Sequence, residues 1–144
     1  MSNERVPFHI TVALLLIKDG KVLLMKRCNT GYMDGMYGFI SGHLEKDESL
    51  SSAIIRESIE EVGIVLKEED LKFVCAIRRG DNSNYFNYFF TTDKFEGNPS
   101  IKESNKCNEL IWCNIKDLPE NTIIAEKRAI ENYQKNIYLD EYNF

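Results

Sequence analysis

Residues 53–64 read A-I-I-R-E-S-I-E-E-V-G-I, with Arg56, Glu57, Glu60 and Glu61 set among aliphatic residues. The aliphatic spacing predicts a helix over residues 49–62, closed by Gly63 as a C-cap glycine. At 100° per residue, with Glu57 as zero, Glu60 falls near 300° and Glu61 near 40°, whereas Ile55, Ile59 and Val62 fall between about 140° and 200°. The acidic and apolar faces are therefore expected to oppose each other. Glu57 is i,i+3 to Glu60 and i,i+4 to Glu61, and each such like-charge pair costs an isolated helix about 0.2–0.5 kcal/mol. The helix macrodipole also disfavours negative charge near a C-terminal end. No lysine lies on that face to relieve them. A solvated acidic face is the ordinary reading of a Glu-Glu pair. A crowd that local energetics opposes is instead expected where function imposes it. Three convergent carboxylates offer hard oxygen donors suited to Mg²⁺, which keeps positions for water and phosphate oxygens and so implies a polyphosphate partner.

Working outward, the chain has 144 residues, the size of one domain spanning 1–144, and can bury a core without staples. With 18 basic and 23 acidic residues its net charge is -5, which provides no electrostatic footprint for duplex nucleic acid or an anionic membrane. Cys28, Cys75, Cys107 and Cys113 form no C-x-x-C pair, so neither a zinc site nor a disulfide framework is indicated and a cytoplasmic setting is expected. The longest apolar stretch, residues 12–17, is too short to span a bilayer, and the N-terminus lacks a targeting pattern.

Residues 8–17 and 21–27 are β-branched-rich runs separated by K-D-G, which predicts a hairpin. Strand-like segments follow at 71–79, 85–92 and 109–115, and residues 122–137 carry apolar positions at helical spacing after L-P-E-N. The expected architecture is mixed α/β, with one helix on each side of a sheet.

From Gly42 to Ile64 the chain reads GHLEKDESLSSAIIRESIEEVGI, which resembles the Nudix box, G-x5-E-x7-R-E-U-x-E-E-x-G-U with U a bulky aliphatic. The fixed positions match at Gly42, Glu48, Arg56, Glu57, Glu60, Glu61 and Gly63. The framing is also similar, with the Y-G-F-I lead-in, Trp112, and L-P before the terminal helix. Ser58 departs from the aliphatic U position, and Ser41 and Asp47 stand where glycines are common. The resemblance implies an α/β/α sandwich with a mixed central sheet. It further implies a Mg²⁺- or Mn²⁺-dependent hydrolase of a nucleoside diphosphate linked to a group X, here a nucleoside triphosphate or similar small nucleotide. The metal ligands it implies are Glu57, Glu60, Glu61 and the main-chain carbonyl of Ser41. Glu57 also positions or deprotonates water, Arg56 orients a box glutamate, and Glu48 is a secondary, outer acid. A later-loop base is the alternative, from Asp93, Glu96 or Glu103. A non-catalytic nucleotide-binding module of the same fold is the second reading, and a homodimer is left open.

His43, inside the box turn, and Arg78, at a strand end, are candidate substrate contacts. Alternation sends Arg78 and Arg79 to opposite faces of their strand. His9 opens a strand and is read as structural or at the substrate rim. Tyr85, Phe86, Tyr88, Phe89 and Phe90 suit a sheet core with one exposed face better than a stacking platform. Trp112 reads as a packed strand residue.

Overall fold

The computed structural model describes residues 3–144. Its elements in chain order are β1 (His9–Lys18), β2 (Lys21–Arg27), β3 (Tyr37–Gly38), β4 (Ile40–His43), α1 (Leu50–Val62), β5 (Lys72–Arg79), β6 (Tyr85–Thr92), β7 (Cys107–Asn114), α2 (Ile124–Lys135) and β8 (Leu139–Tyr142). The strands form one mixed sheet in the order β3-β2-β1-β6-β5-β8, with β4 added to β1 and β7 to β2. The β1–β6 and β5–β8 pairs are parallel, and the other strand pairs are antiparallel.

Alternation along β1 divides the core between two helices. Val12, Leu14 and Leu16 pack with Ala53, Ile54 and Val62 of α1. Ala13 and Leu15 pack with Ala125, Ala129 and Ile130 of α2. The result is a sheet with a helix on each side, as the period-2 pattern of β1 requires when both its faces are covered.

The predicted hairpin forms, but only at its turn. Asp19 and Gly20 both take positive φ (54° and 74°), as a two-residue hairpin turn demands. Only Ile17–Val22 and Lys18–Lys21 then pair across it. Beyond those pairs β1 turns to β4 and β6, and β2 turns to β7.

Helix α1 begins at Ser49, whose side chain accepts from Ser52 N, and ends at Gly63 in the left-handed region at φ 74°. Its buried face differs from the one the helical wheel suggests. Ala53, Ile54, Ser58 and Val62 are buried, whereas Ile59 is 48% exposed. The inward face thus centres on Ile54 and Ser58, directly beside Glu57 and Glu61 rather than opposite them. Ser58 makes this possible. Its hydroxyl is small enough for close packing, and it donates to Ile54 O at 2.7 Å, leaving no buried donor unpaired.

Strand β8 is an addition that the sequence pattern does not announce. Asn136, at φ 55°, ends α2, and the chain turns to lie alongside β5, Ala76 opposite Leu139 and Arg79 opposite Tyr142. Asp140 of β8 accepts two hydrogen bonds from the Arg128 guanidinium and one from Asn132 Nδ2, and these hold its carboxyl below the usual range.

Among the described residues no helix is long and apolar enough to cross a membrane. All four cysteines are free thiols.

Candidate active site

Arg56 resolves the crowding of negative charge on α1. Its Nε and Nη2 donate to the two oxygens of Glu48 at 2.7 and 3.0 Å, a bidentate pair. Nη1 donates to Glu57 Oε1 at 2.7 Å and lies 3.4 Å from Glu60 Oε2. Nη2 also donates to His43 O at 3.2 Å. One planar cation therefore ties the turn after β4 to three carboxylates. These hydrogen bonds, led by Glu48, raise the guanidinium pKa above its usual value. Glu48 is held below the usual carboxylate range, first by Arg56 and then by the Glu45 N–H.

Glu57 and Glu61 reach from α1 toward β4. A Cβ on Gly42 would lie 2.1 Å from Glu57 Oε1 and 2.2 Å from its Cδ, so only glycine leaves room for this carboxylate. Ser41 N lies 3.4 and 3.3 Å from the two oxygens of Glu61. Burial is the main reason the Glu57 and Glu61 carboxyls resist ionising. Arg56 opposes it at Glu57, while the Glu57 charge adds to it at Glu61. Glu60 is more exposed, with only the longer Arg56 contact.

The far end of the helix is strapped by the chain that follows β6. Ser100 N donates to Val62 O at 3.0 Å and Lys102 N to Glu61 O at 3.1 Å. Val65 and Glu96 exchange two backbone bonds, and the Lys102 stem lies over Gly63, where a Cβ would meet its Cε at 2.5 Å. The helix has no basic residue in its last turn, and this strap meets the carbonyls left there.

The carboxylates open into a cavity of about 920 Å³. Glu45, Glu57, Glu60, Glu61 and Glu103 line one side, and Met25, Phe39, Phe89, Ile123 and Ala125 line an apolar part. Of the three later acids considered from sequence, only Glu103 lines this cavity. Asp93 lies in a separate cleft with Lys18, Phe95 and Trp112, and Glu96 sits in the bridge to Val65. His43 also lines the main cavity. Arg78 does not, because its guanidinium stacks between the rings of Phe8 and Phe144 at 4.6 and 5.0 Å. Its neighbour Arg79 is the one that lines it. His9 packs its ring against His43 and Tyr85 at the rim. Phe89 and Phe90 are core residues, Tyr85 faces the cavity, and Trp112 is half-exposed, stacked on Phe95.

Glu126 is a site residue that the sequence reading missed. It stands in the first turn of α2, its carboxyl surrounded by protein yet facing the cavity. A Cβ on Gly38 would come 2.8 Å from Glu126 Oε2. Burial pushes its pKa up to about 8, against the opposing pull of Arg27 and the Phe39 N–H. The signal available in the sequence was Gly38 within Y-G-F-I, a glycine in a strand, which often marks close approach of another group.

Among the described residues no three acidic, imidazole or thiol groups form a ready-made chelate. The donor set nevertheless fits a hard divalent cation. Burial keeps the adjoining Glu57 and Glu61 carboxyls from ionising readily even with Arg56 on Glu57, a third carboxylate stands beside them, and Gly42 clears the space that Glu57 fills.

Comparison with known proteins agrees with this fold. The NUDIX domain family profile matches residues 7–133. The chain is 28% identical over 138 residues to the ADP-ribose pyrophosphatase of Methanocaldococcus jannaschii, covering 94% of this chain and 79% of that protein. It is 27% identical over 90 residues to the 8-oxo-dGTP diphosphatase of Proteus vulgaris, covering 62% and 80%. The crystal structure of a MutT NUDIX hydrolase from Burkholderia pseudomallei superimposes with a TM-score of 0.81 at 25% identity, covering 88% of this chain and 98% of that one.

Proposed function

Because the chain belongs to the Nudix family, whose members hydrolyse phosphoric anhydrides, we propose that it is a divalent-cation-dependent pyrophosphohydrolase of a nucleoside diphosphate linked to a group X, nucleoside triphosphates and similar small nucleotides included. The observation that carries this reading is the Glu57 carboxylate, clamped by Arg56 at 2.7 Å and seated in a space that Gly42 alone leaves open. A carboxylate fixed this way beside two others, at the wall of a cavity of nucleotide size, is arranged for a reaction at phosphorus.

Glu57, Glu60, Glu61 and the carbonyl of Ser41 are the groups that would hold Mg²⁺ or Mn²⁺. When bound, the cation would offset phosphate charge and lower the pKa of water. The chain's own residues do the rest. The apolar walls, Phe39, Phe89, Met25 and Ile123, take the base by burial. Glu126 stands among them as a polar group for its edge. In the hydrolysis a water oxygen bonds to one phosphorus, the bridging P–O bond of the anhydride breaks, and the bridging oxygen leaves on the other phosphate. Glu57, with Arg56 fixing its position, accepts the proton that water loses. A nucleoside monophosphate and phosphorylated X are the products when the bond between the two phosphates of the diphosphate is cut.

A nucleotide-binding module without chemistry has no use for carboxylates crowded against their own repulsion. Assay of a nucleotide panel with Mg²⁺, with Mn²⁺ and in excess EDTA tests the reading. Turnover with metal and none in EDTA is expected. Full turnover in EDTA, or nucleotide binding with no turnover under any condition, refutes it.

A further inference from the structure

The cleft that holds Asp93 shares no lining residue with the carboxylate cavity. Lys18 ends β1, and Trp112 of β7 lies opposite Leu23 of β2. Leu16 and Leu23 pack toward α1, so alternation turns Lys18 and Trp112 to that same side of the sheet. The facing wall is the strap after β6, whose Phe95 packs against the α1-side core. This strap is tied down along its length. Thr92 Oγ1 accepts from Lys94 N at 3.1 Å and donates to Lys94 O at 3.2 Å. Glu96 N donates to Val65 O and Ser100 N to Val62 O, both at 3.0 Å. A Cβ on Gly97 would meet Gly63 O at 3.3 Å, so the chain runs close against the helix end. The cleft is thus formed by the fold itself, and its volume of about 460 Å³ suits one small ligand.

Its chemistry is the reverse of the main cavity's. The Trp112 and Phe95 rings stack with centroids 6.4 Å apart, yet Trp112 stays 38% exposed, so ring surface is left for another planar group. The Lys18 ammonium stands 5.7 Å from the Phe95 centroid. Among the described residues neither Lys18 nor Lys94 is in an ion pair, not even with Asp93 of the same cleft. Two cations against that one lining carboxylate favour an anion, in a chain whose net charge is -5. Asn98 adds an amide and Asp93 an acceptor for the polar edge of a ring. Inorganic phosphate has no use for the rings, and a neutral ring has none for the ammonium groups. A base joined to phosphate uses both. Because Asp93 is the only carboxylate lining the cleft, no set like that of Glu57, Glu60 and Glu61 is at hand to hold a metal, and a nucleotide bound here stays whole.

We propose that this cleft is a second, non-catalytic nucleotide site, in which Trp112 stacks on the base and Lys18 and Lys94 hold the phosphate.

Trp112 is the chain's one tryptophan, so its fluorescence reports on the cleft itself. The full chain is titrated with AMP, GMP and UMP in excess EDTA, which keeps the outcome independent of the hydrolase reading. At least one of them should quench Trp112 saturably at submillimolar concentration. The matching nucleoside and inorganic phosphate should each bind at least tenfold more weakly. Lys18→Gln and Lys94→Gln combined should weaken the nucleotide at least tenfold, and each alone about threefold if the double variant does not fold. Lys18→Arg with Lys94→Arg keeps both charges and should restore binding to within threefold of the parent. Quenching that rises without saturation overturns the proposal. So does a nucleoside or phosphate that binds as tightly as the nucleotide. Saturable quenching undiminished in the glutamine variants overturns it as well, because the nucleotide then sits in the main cavity. Each of these results leaves metal-dependent turnover, assayed separately, untouched.

Discussion

Gly42→Ala separates placement of the Glu57 carboxylate from folding of the strand that faces it. Gly42 pairs with Val12 in ordinary strand geometry, so alanine carries no conformational penalty of its own. Its Cβ, however, would lie 2.1 Å from Glu57 Oε1, 2.2 Å from Cδ and 2.7 Å from Cγ. A relaxed carbon–oxygen contact is about 3.3–3.6 Å, so the carboxylate must withdraw by more than about 1 Å. A misplacement of that size costs about 100-fold in rate, equivalent to about 2.7 kcal/mol in the barrier. The effect on stability is smaller. Glu57 is the end of a flexible side chain, and the charge-assisted bond to Arg56 that it gives up, worth about 1.5–3 kcal/mol, is offset by returning a buried carboxylate to water. A net loss of about 1 kcal/mol or less, about 4 °C or less in Tm, is expected. Thermal melts in EDTA read stability without metal linkage, and release of nucleoside monophosphate in Mg²⁺ reads activity. Turnover within threefold of the parent would show that Glu57 does not sit at the reacting centre. A collapse of Tm would show that its contact with Gly42 is packing alone.

Arg56→Lys should lower kcat at least tenfold, because an ammonium cannot hold Glu48 in a bidentate pair and Glu57 at once; steady-state kinetics showing near-parent turnover would remove its orienting role. Glu60→Gln should change stability in EDTA by about 0.5 kcal/mol or less, since Glu60 is exposed and only loosely paired. Its thermal stabilisation by Mg²⁺ should shrink, whereas melts with an undiminished Mg²⁺ shift would take Glu60 out of the ligand set. Glu126 holds a proton in the folded chain up to about pH 8 that the unfolded chain releases near pH 4.5. Folding stability should therefore fall as pH rises through that window, by less than the limiting ~1.4 kcal/mol per pH unit because the cavity admits water. Glu126→Gln should flatten this slope in urea titrations at pH 5, 7 and 8.5, and equal slopes in the two proteins would refute the protonated state.

The box was legible because its chemistry is local. Gly42, Glu48, Arg56, Glu57 and Glu61 stand at fixed offsets on the end of one strand, the turn after it and one helix, a single run of 20 residues whose spacing is readable in the sequence. Residues whose roles depend on distant partners were not legible in the same way. Alternation says that Arg78 and Arg79 point to opposite faces, but only the positions of Phe8 and Phe144 show that Arg78 is the one turned away. Glu126 looks like an ordinary first-turn acid until Gly38, on a separate strand, is placed against it. Glu103 could not be told from Asp93 and Glu96 before the course of the strap was known. A small residue at Ser58 is compatible with a helix–sheet contact, and Ser58 is buried there; the helical wheel erred at Ile59, whose hydrophobicity counted toward the inner face although it is exposed. Strand β8 escaped notice because L-D-E-Y has little apolar character; the salt bridge from Asp140 to Arg128 anchors it together with Tyr142, which packs against the core.

The parallel pairing of β1 with β6 also bears on how the chain is made. Thr11 meets Asn87 across 76 positions, and β2 meets β7 at a longer separation still, Lys21 opposite Asn114. At about 5–20 residues per second, a ribosome needs on the order of 4–15 s to deliver the partner of β1. During that interval the carboxylate helix has been synthesised but lies over an unfinished sheet, and the apolar strand Val12–Leu16 has a bare edge. The nascent protein is thus most prone to self-association before residue 92 emerges, and translational slowing upstream of that point should cost more soluble product than slowing after it.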